Sequence, residues 1–309
     1  MLEYETAGDP ITGLKWTKKT LAKIATELQL NGIKVCANTV AKLLKKMNYS
    51  LRVNHKKKSS TVKVTADERD QQFNYINDQR KLFAQDACAT ISVDTKKRET
   101  IGNFKNQGRS WCDKPIVVKD HDFRSESDGI AIPYGIYDIL MNMGNIFIGK
   151  SYDTPAFAVD SIELWWRLWG KQRYLNSKWL LILADQGGSN SSRSKVWKYL
   201  IQQKLCNLHN LSFTVCHYPP GASKWNLIEH RLFSEISKNW AGRPLDSYET
   251  IDKYIKTTTT KTGLRVNCYV VDKQYEKGEK ITDEQMASLC LKKHAVFPMW
   301  NYTLSPQFN

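Results

Sequence analysis

Strand-like segments come first along the middle of this chain, and helical segments then alternate with strands. That order fits an α/β fold built on a mixed sheet with helices at its faces. The strand candidates are 90–95, 99–104, 131–137, 145–149, 178–184 and 211–216. Apolar residues at helical spacing mark 155–169, 190–208, 223–240 and 246–257. Residues 261–309 combine a strand-like stretch from Leu264 to Val271, a short helix near Asp283 to Leu291 and an aromatic tail. A chain of 309 residues exceeds what one core of about 250–300 residues commonly organises, so more than one domain is expected.

Three acidic residues stand at the edges of this pattern. In Ile91-Ser92-Val93-Asp94 the apolar pair points to one face of a strand, and Ser92 and Asp94 to the other. Asp185 follows the apolar run Leu180 to Ala184, at the carboxyl end of a strand, where ligands of α/β sheets gather. Glu229 falls on a helical stripe with Trp225, Ile228, Leu232, Phe233, Ile236 and Trp240, which should be buried. A buried carboxylate is costly unless it is protonated, hydrogen-bonded, ion-paired or bound to metal. Taken singly, Asp94 and Asp185 also read as turn residues, and Glu229 as a salt-bridge partner of His230 or Arg231. Taken together, two strand-end aspartates and a helical glutamate can converge as oxygen ligands for a divalent metal.

Charge points to the partner. The formal net charge is +15, and residues 1–60 hold twelve Lys and Arg against four Asp and Glu. A basic bias of this kind favours nucleic acid first and an anionic membrane second. Within the basic segment, Thr17 to Gln29 reads as one helix and Asn31-Gly32 as a turn. A second helix starts at Asn38 as its cap, with Val40, Leu43, Leu44 and Met47 on one face. Lys42, Lys45 and Lys46 lie elsewhere on it. Two short helices with a basic second member resemble a helix-turn-helix; a helical hairpin with a solvated lysine face is the competing reading. A basic wing or linker, 55–63, and a polar helix, 65–84, follow.

Other classes are excluded. Seven scattered cysteines without a C-x-x-C pair fit reduced thiols better than a disulfide framework or a zinc site. The acidic start shows no signal peptide and no window approaches ~18 apolar residues, so the expectation is a soluble cytoplasmic protein, nucleoid-associated and without a membrane role. Gly144 to Ser151 satisfies the P-loop pattern, yet Asn145-Ile-Phe-Ile148 is strand-like, and Thr154 with Pro155 opens the next helix too late. Lys150 therefore reads as a strand-end surface lysine.

Several longer motifs occur in fixed order: Ile91 to Lys97 with Ile101 to Lys105, Ala131 to Tyr137, Asp185-x-Gly-Gly-Ser-Asn190, and Pro219-Pro-Gly-Ala-Ser-Lys-Trp-Asn-Leu-Ile-Glu-His230. Across nearly the whole chain these resemble the DDE transposases of bacterial insertion sequences, the ISAzo-type family. That resemblance implies an RNase H-like mixed sheet flanked by helices, preceded by a small helix-turn-helix domain. The implied divisions are 1–60 for DNA binding, 61–88 as helical linker, 89–260 as catalytic domain and 261–309 as an extension packed on it. It implies Asp94, Asp185 and Glu229 as the catalytic triad, holding two Mg²⁺ ions with Mn²⁺ as substitute. Lys96, Lys97, Lys105 and Arg109 become candidates to grip DNA phosphate. Asn226 matches the family's neighbouring polar residue and joins the DNA-facing set, unless it supports the helix start. The implied partners are double-stranded element ends and target DNA, with a homo-oligomer assembled on them. Relatives carry more chain before Gly8-Asp9-Pro10, so a shortened N-terminal domain is expected. The alternative is a catalytically silent, shortened transposase acting as a DNA-binding protein.

Overall fold

Short polar side chains fix where the helices begin. In the computed structural model, described for residues 6–8, 15–17, 19–51, 64–222 and 225–307, the chain divides into two units, 1–58 and 59–309. In the first unit, strands β1 (Thr6–Gly8) and β2 (Lys15–Thr17) pair antiparallel; three-residue strands are too short to show a period in sequence. Thr20 caps α1 (Leu21–Leu30) by accepting the Lys23 N–H at 3.2 Å. Gly32, at φ +82°, makes the turn that follows. Helix α2 (Ala37–Lys46) begins one residue before the expected Asn38 cap, with Cys36 in the cap position. Ile24 and Val40 are buried, whereas Leu43 and Met47, expected on the inner face, are 45% and 58% exposed. Lys42, Lys45 and Lys46 are exposed on α2. The expected basic wing, 55–63, lies outside the described residues.

The second unit opens with α3 (Ala66–Gln85), started by a reciprocal capping box between Thr65 and Glu68. Strands β3 (Ala89–Thr95), β4 (Glu99–Ile101), β5 (Gly129–Asp138) and β6 (Met143–Gly149) come next. Helix α4 (Pro155–Trp165) has Thr154 as cap and Pro155 at its first position, and it continues through a wide turn into α5 (Lys171–Arg173). Then follow β7 (Trp179–Ala184), α6 (Lys195–Ile201) and β8 (Ser212–His217). A wide helical turn, Glu229–Phe233, runs into α7 (Ser234–Asn239), and α8 (Tyr248–Lys256) comes after it. The remaining elements are β9 (Arg265–Val271), α9 (Asp283–Ala287), β10 (Leu291–Lys293) and β11 (Asn301–Leu304).

The sheet has nine strands in the order β10-β11-β8-β7-β3-β5-β6-β9, with β4 paired to β5. Strands β7 and β8 run parallel to β3, while β5 is antiparallel to both β3 and β6. The inner five strands form the RNase H-like arrangement, a mixed sheet flanked by helices. Residues 261–309 do more than pack against it: β9 pairs parallel to β6 at one edge, and β11 pairs antiparallel to β8 near the other. Burial follows the pleat. Ala89, Ile91 and Val93 join Phe157, Ile162, Trp197 and Ile201 in the core under α4 and α6. The unbroken run in β7 is covered on both faces, since Leu180 and Ile182 enter that core while Leu181 and Leu183 meet Ile76 and Phe83 of α3. Among the described residues no helix is long and apolar enough to cross a membrane.

Sequence and structure part company at several boundaries. The helix expected from 190 begins at Lys195, because Ser194 accepts the Trp197 N–H at 3.1 Å. Asn190, the first residue of the expected helix, is buried, and its amide oxygen accepts from Tyr134 Oη at 2.8 Å. In the 223–240 stripe, Trp225 is 55% exposed, whereas Ile228, Leu232, Phe233, Ile236 and Trp240 are buried. This helix lies close on the sheet because two strand residues beneath it lack side chains. A Cβ at Gly135 would overlap Phe233 and Ile228, and one at Gly144 would overlap Leu232. Gly144→Val should therefore destabilise the protein by about 1–3 kcal/mol through overpacking, read from the midpoint of urea unfolding.

Candidate active site

Asp94, the last residue but one of β3, lies on the face opposite Ile91 and Val93, as the alternation requires. It is 8% exposed, and its Oδ1 accepts the Thr95 N–H at 2.7 Å. The parallel register pairs Val93 with Ala184, so Asp94 and Asp185 leave neighbouring strands at the same end. Asp185 turns on its own loop, its Oδ1 accepting the Gly187 N–H at 3.2 Å. Glu229 approaches from the helical side. Asn226, just ahead of it, is 0% exposed, takes the Ser92 hydroxyl proton on its amide oxygen, and donates to Asp94 Oδ2 at 3.3 Å. The Ile228 N–H donates to Ser92 Oγ at 3.3 Å, so the first helical turn is fastened directly to β3.

The carboxylates sense one another. Asp94 is pushed up to about 8, first by burial and then by the charges of Asp185 and Glu229. Asp185 is pushed up to about 6, again mainly by burial, with Glu229 and Asp153 adding to it. Burial also raises Glu229, and the positive charges of Lys96 and His230 offset part of that rise. Among the described residues, no three His, Cys, Asp or Glu side chains close into a ready cage for a metal ion. The donor chemistry nevertheless suits one, because buried like-charged oxygens lack what a hard divalent cation supplies.

A cleft of about 740 Å³ opens beside Glu229, lined by Lys96, Lys97, Arg98, Lys105, Phe104 and Trp240 among others. Neither Asp94 nor Asp185 lines it. The expected phosphate-gripping residues divide. Lys97, Lys105 and Arg109 are exposed. Lys96 is committed elsewhere: its Nζ lies 2.6 Å from Glu99 Oε1 and 4.5 Å above the Trp240 ring. Asn226, expected among the DNA-facing residues, is instead sealed inside the protein, where its amide is consumed by Ser92 and Asp94. Lys150 of the P-loop-like stretch pairs with Asp272 at 2.6 Å, and the stretch itself is strand β6.

Two groups at the site escaped sequence reasoning. Asp153, in the loop between β6 and α4, accepts from Thr95 Oγ1 at 3.0 Å, and Ser189 Oγ lies 3.3 Å from the same hydroxyl. This ties together the loops that carry Asp94 and Asp185. Nothing in Tyr152-Asp153-Thr154-Pro155 signals more than a helix start. His217, at the end of β8, is fully buried, and burial pulls its pKa down to about 4. A histidine ending an apolar strand carries no distinguishing pattern in sequence.

The family model described as Rhodopirellula transposase DDE domain matches residues 1–306. No curated protein matches the chain. Among solved structures, the chain is similar to the Mos1 transposase paired-end complex with the left transposon end, at 14% identity and TM-score 0.44, covering 77% of this chain and 65% of that one. The Mos1 strand transfer complex gives 14%, 0.44, 77% and 64%. The Mos1 paired-end complex with Mg gives 15%, 0.44, 77% and 65%. The chain thus spans slightly under two-thirds of the length of these proteins.

The raised carboxyls have a consequence for stability. Because the folded state holds these protons more tightly than the unfolded chain, their contribution is fully present below about pH 4. It is lost as pH rises through about 6 for Asp185 and about 8 for Asp94. In chelator, the thermal midpoint should fall across that window, and Asp94→Asn should flatten the fall. Differential scanning calorimetry at stepped pH reads both.

Proposed function

The chain belongs to the Rhodopirellula transposase DDE domain family, and on that premise we propose that it cuts DNA at the ends of an insertion sequence and joins those ends to target DNA. The observation that carries this is the convergence of Asp94, Asp185 and Glu229 from separate elements, close enough that the charges of Asp185 and Glu229 add to the rise at Asp94 and that of Glu229 to the rise at Asp185. Asp94, Asp185 and Glu229 would hold Mg²⁺, with Mn²⁺ as substitute and two ions in all. When bound, such ions activate the attacking oxygen and stabilise the leaving oxygen of an in-line phosphoryl displacement.

The protein's own residues do the rest. Asn226 keeps the Asp94 carboxylate turned toward the helix that carries Glu229. Lys96, anchored by Glu99, keeps a positive charge beside Glu229 without being free to follow the DNA. Lys97 and Lys105 on the cleft wall, with Arg109 beyond it, grip the phosphates of a strand delivered to the carboxylates. The basic face of α2, with Lys42, Lys45 and Lys46, belongs to end recognition. A homo-oligomer would hold two ends together.

Incubation with an element-end duplex tests this reading. Nicking should require Mg²⁺ or Mn²⁺, and a freed 3′-hydroxyl should then yield joined products with a second duplex. Asp94→Ala, Asp185→Asn and Glu229→Gln should each lose about a thousandfold in cleavage, the scale of removing one metal-holding group. Binding without metal-dependent cutting would instead support a silent DNA-binding protein, and cutting without joining a nuclease. Lys97→Ala and Lys105→Ala should each lower DNA affinity evenly across sequences. Each should also reduce the slope of log K against log salt by about one, measured by fluorescence anisotropy.

A further inference from the structure

The β7–β8 ladder ends where the site begins. Ala184 and His217 are its last pair, and the bond beyond them runs from the Tyr218 N–H to the Ala184 carbonyl at 2.8 Å. The next carbonyl, that of Asp185, is met by a side chain: His217 Nδ1 lies 2.8 Å from it. Since a carbonyl can only accept, Nδ1 carries the proton, and in the neutral ring that burial favours Nε2 accepts. Behind the ring stands Tyr302 Oη, 3.2 Å from Nε2, and it receives the Trp197 Nε1–H at 2.9 Å. An indole nitrogen can only donate, so the file has a single direction: Trp197 to Tyr302 to His217 to the Asp185 peptide.

The imidazole has no freedom to leave. Trp197, His217 and Tyr302 are 0%, 0% and 1% exposed. The His217 N–H donates to Trp300 O at 3.0 Å, and its carbonyl accepts from Gln72 Nε2 at 2.9 Å. Gln72 and Asn301, both 0% exposed, exchange two amide bonds of 2.8 Å. Helix α3 and Trp300, just ahead of β11, therefore clamp the histidine backbone, while α6 and β11 supply the file behind its ring. A histidine that merely filled the core would need partners for its nitrogens. Here one partner is the peptide of a site carboxylate, just past the point where strand pairing stops.

We propose that His217 is a positioning residue that fixes the Asp185 peptide, and with it the direction of the carboxylate, a role that rests on Asp185 being a metal-holding group. The Asp185 side chain is held in front by the Gly187 N–H, and its main chain is held from behind by His217. Loss of the rear contact leaves the loop attached to the strand but rotatable about its first peptide. Groups that orient metal-holding side chains in this indirect way commonly affect affinity or activity 10–100-fold.

The test uses the full chain with His217→Phe, His217→Asn and Tyr302→Phe, following the exchange rate of the Gly187 amide without metal and Mn²⁺ affinity by electron paramagnetic resonance. His217→Phe should speed Gly187 exchange and weaken Mn²⁺ binding, each by about tenfold or more. His217→Asn, which keeps an N–H near the Nδ1 position, should restore most of both. Tyr302→Phe, which deletes one oxygen, should shift both in the same direction by less. Unchanged Gly187 exchange in His217→Phe, or failure of the asparagine to restore it, overturns the proposal. If His217→Phe does not fold, unchanged exchange in Tyr302→Phe overturns it equally. A wild-type protein that binds no Mn²⁺ would count against the transposase reading, while the exchange rates still decide whether His217 holds the Asp185 loop.

Discussion

A buried amide joins the two halves of the site. Asn226 sits where the helix carrying Glu229 meets β3, and its carboxamide takes the Ser92 proton while reaching Asp94. Removing such a group from water is costly unless its hydrogen bonds are replaced, and here they are replaced by the face of β3 that bears Asp94. The docking is therefore specific in register: a one-residue slip of β3 would present Ile91 and Val93 to the amide. Gly135 and Gly144 complete the arrangement by leaving room for Phe233 and Leu232 beneath the same helix. Without those gaps the helix would stand off, and Glu229 would lie beyond the influence of the aspartates.

The electrostatics of the site oppose folding. Two aspartates and a glutamate are drawn out of water with no cage closed around a point among the described residues, and the charges of Asp185 and Glu229 make ionisation of Asp94 harder. Lys96 tempers this locally, while its pairing with Glu99 and its place over Trp240 keep it on the cleft wall. Such an arrangement gives up stability, as sites with strongly shifted carboxyls often do. Lys97, Lys105 and Arg109 stand exposed, and it is to these that the proposed reading assigns a polyanion.

Much of the fold was legible because periodicity reports burial. Alternation from Ile91 to Asp94 gave the correct face for each residue, and the unbroken apolar run of β7 reflects cover on both sides. The convergence of Asp94 and Asp185 follows from the parallel pairing of their strands, which element order suggests but spacing cannot prove. Harder to see were features that depend on distant partners. Asn190 resembles a helix cap until Tyr134 is found across from it, and Asn226 resembles a DNA contact until Ser92 covers it. The wide turn at Glu229–Phe233 is likewise invisible to a 3.6-residue period. Strand β11 was lost in an aromatic tail, although Tyr302 and Leu304 alternate inward against Asn301 and Thr303.

That late strand has an implication for synthesis. Until Asn301–Leu304 leaves the ribosome, β8 is an open edge, and the Gln72 amide, the Trp197 indole and the His217 ring all await partners encoded some eighty or more residues after β8. A nascent chain can lay down the strands bearing both aspartates yet keep their surroundings loose. The surroundings of Asp185 are thus completed only once Asn301–Leu304 has been made, so order at this end of the sheet comes late and from far along the chain.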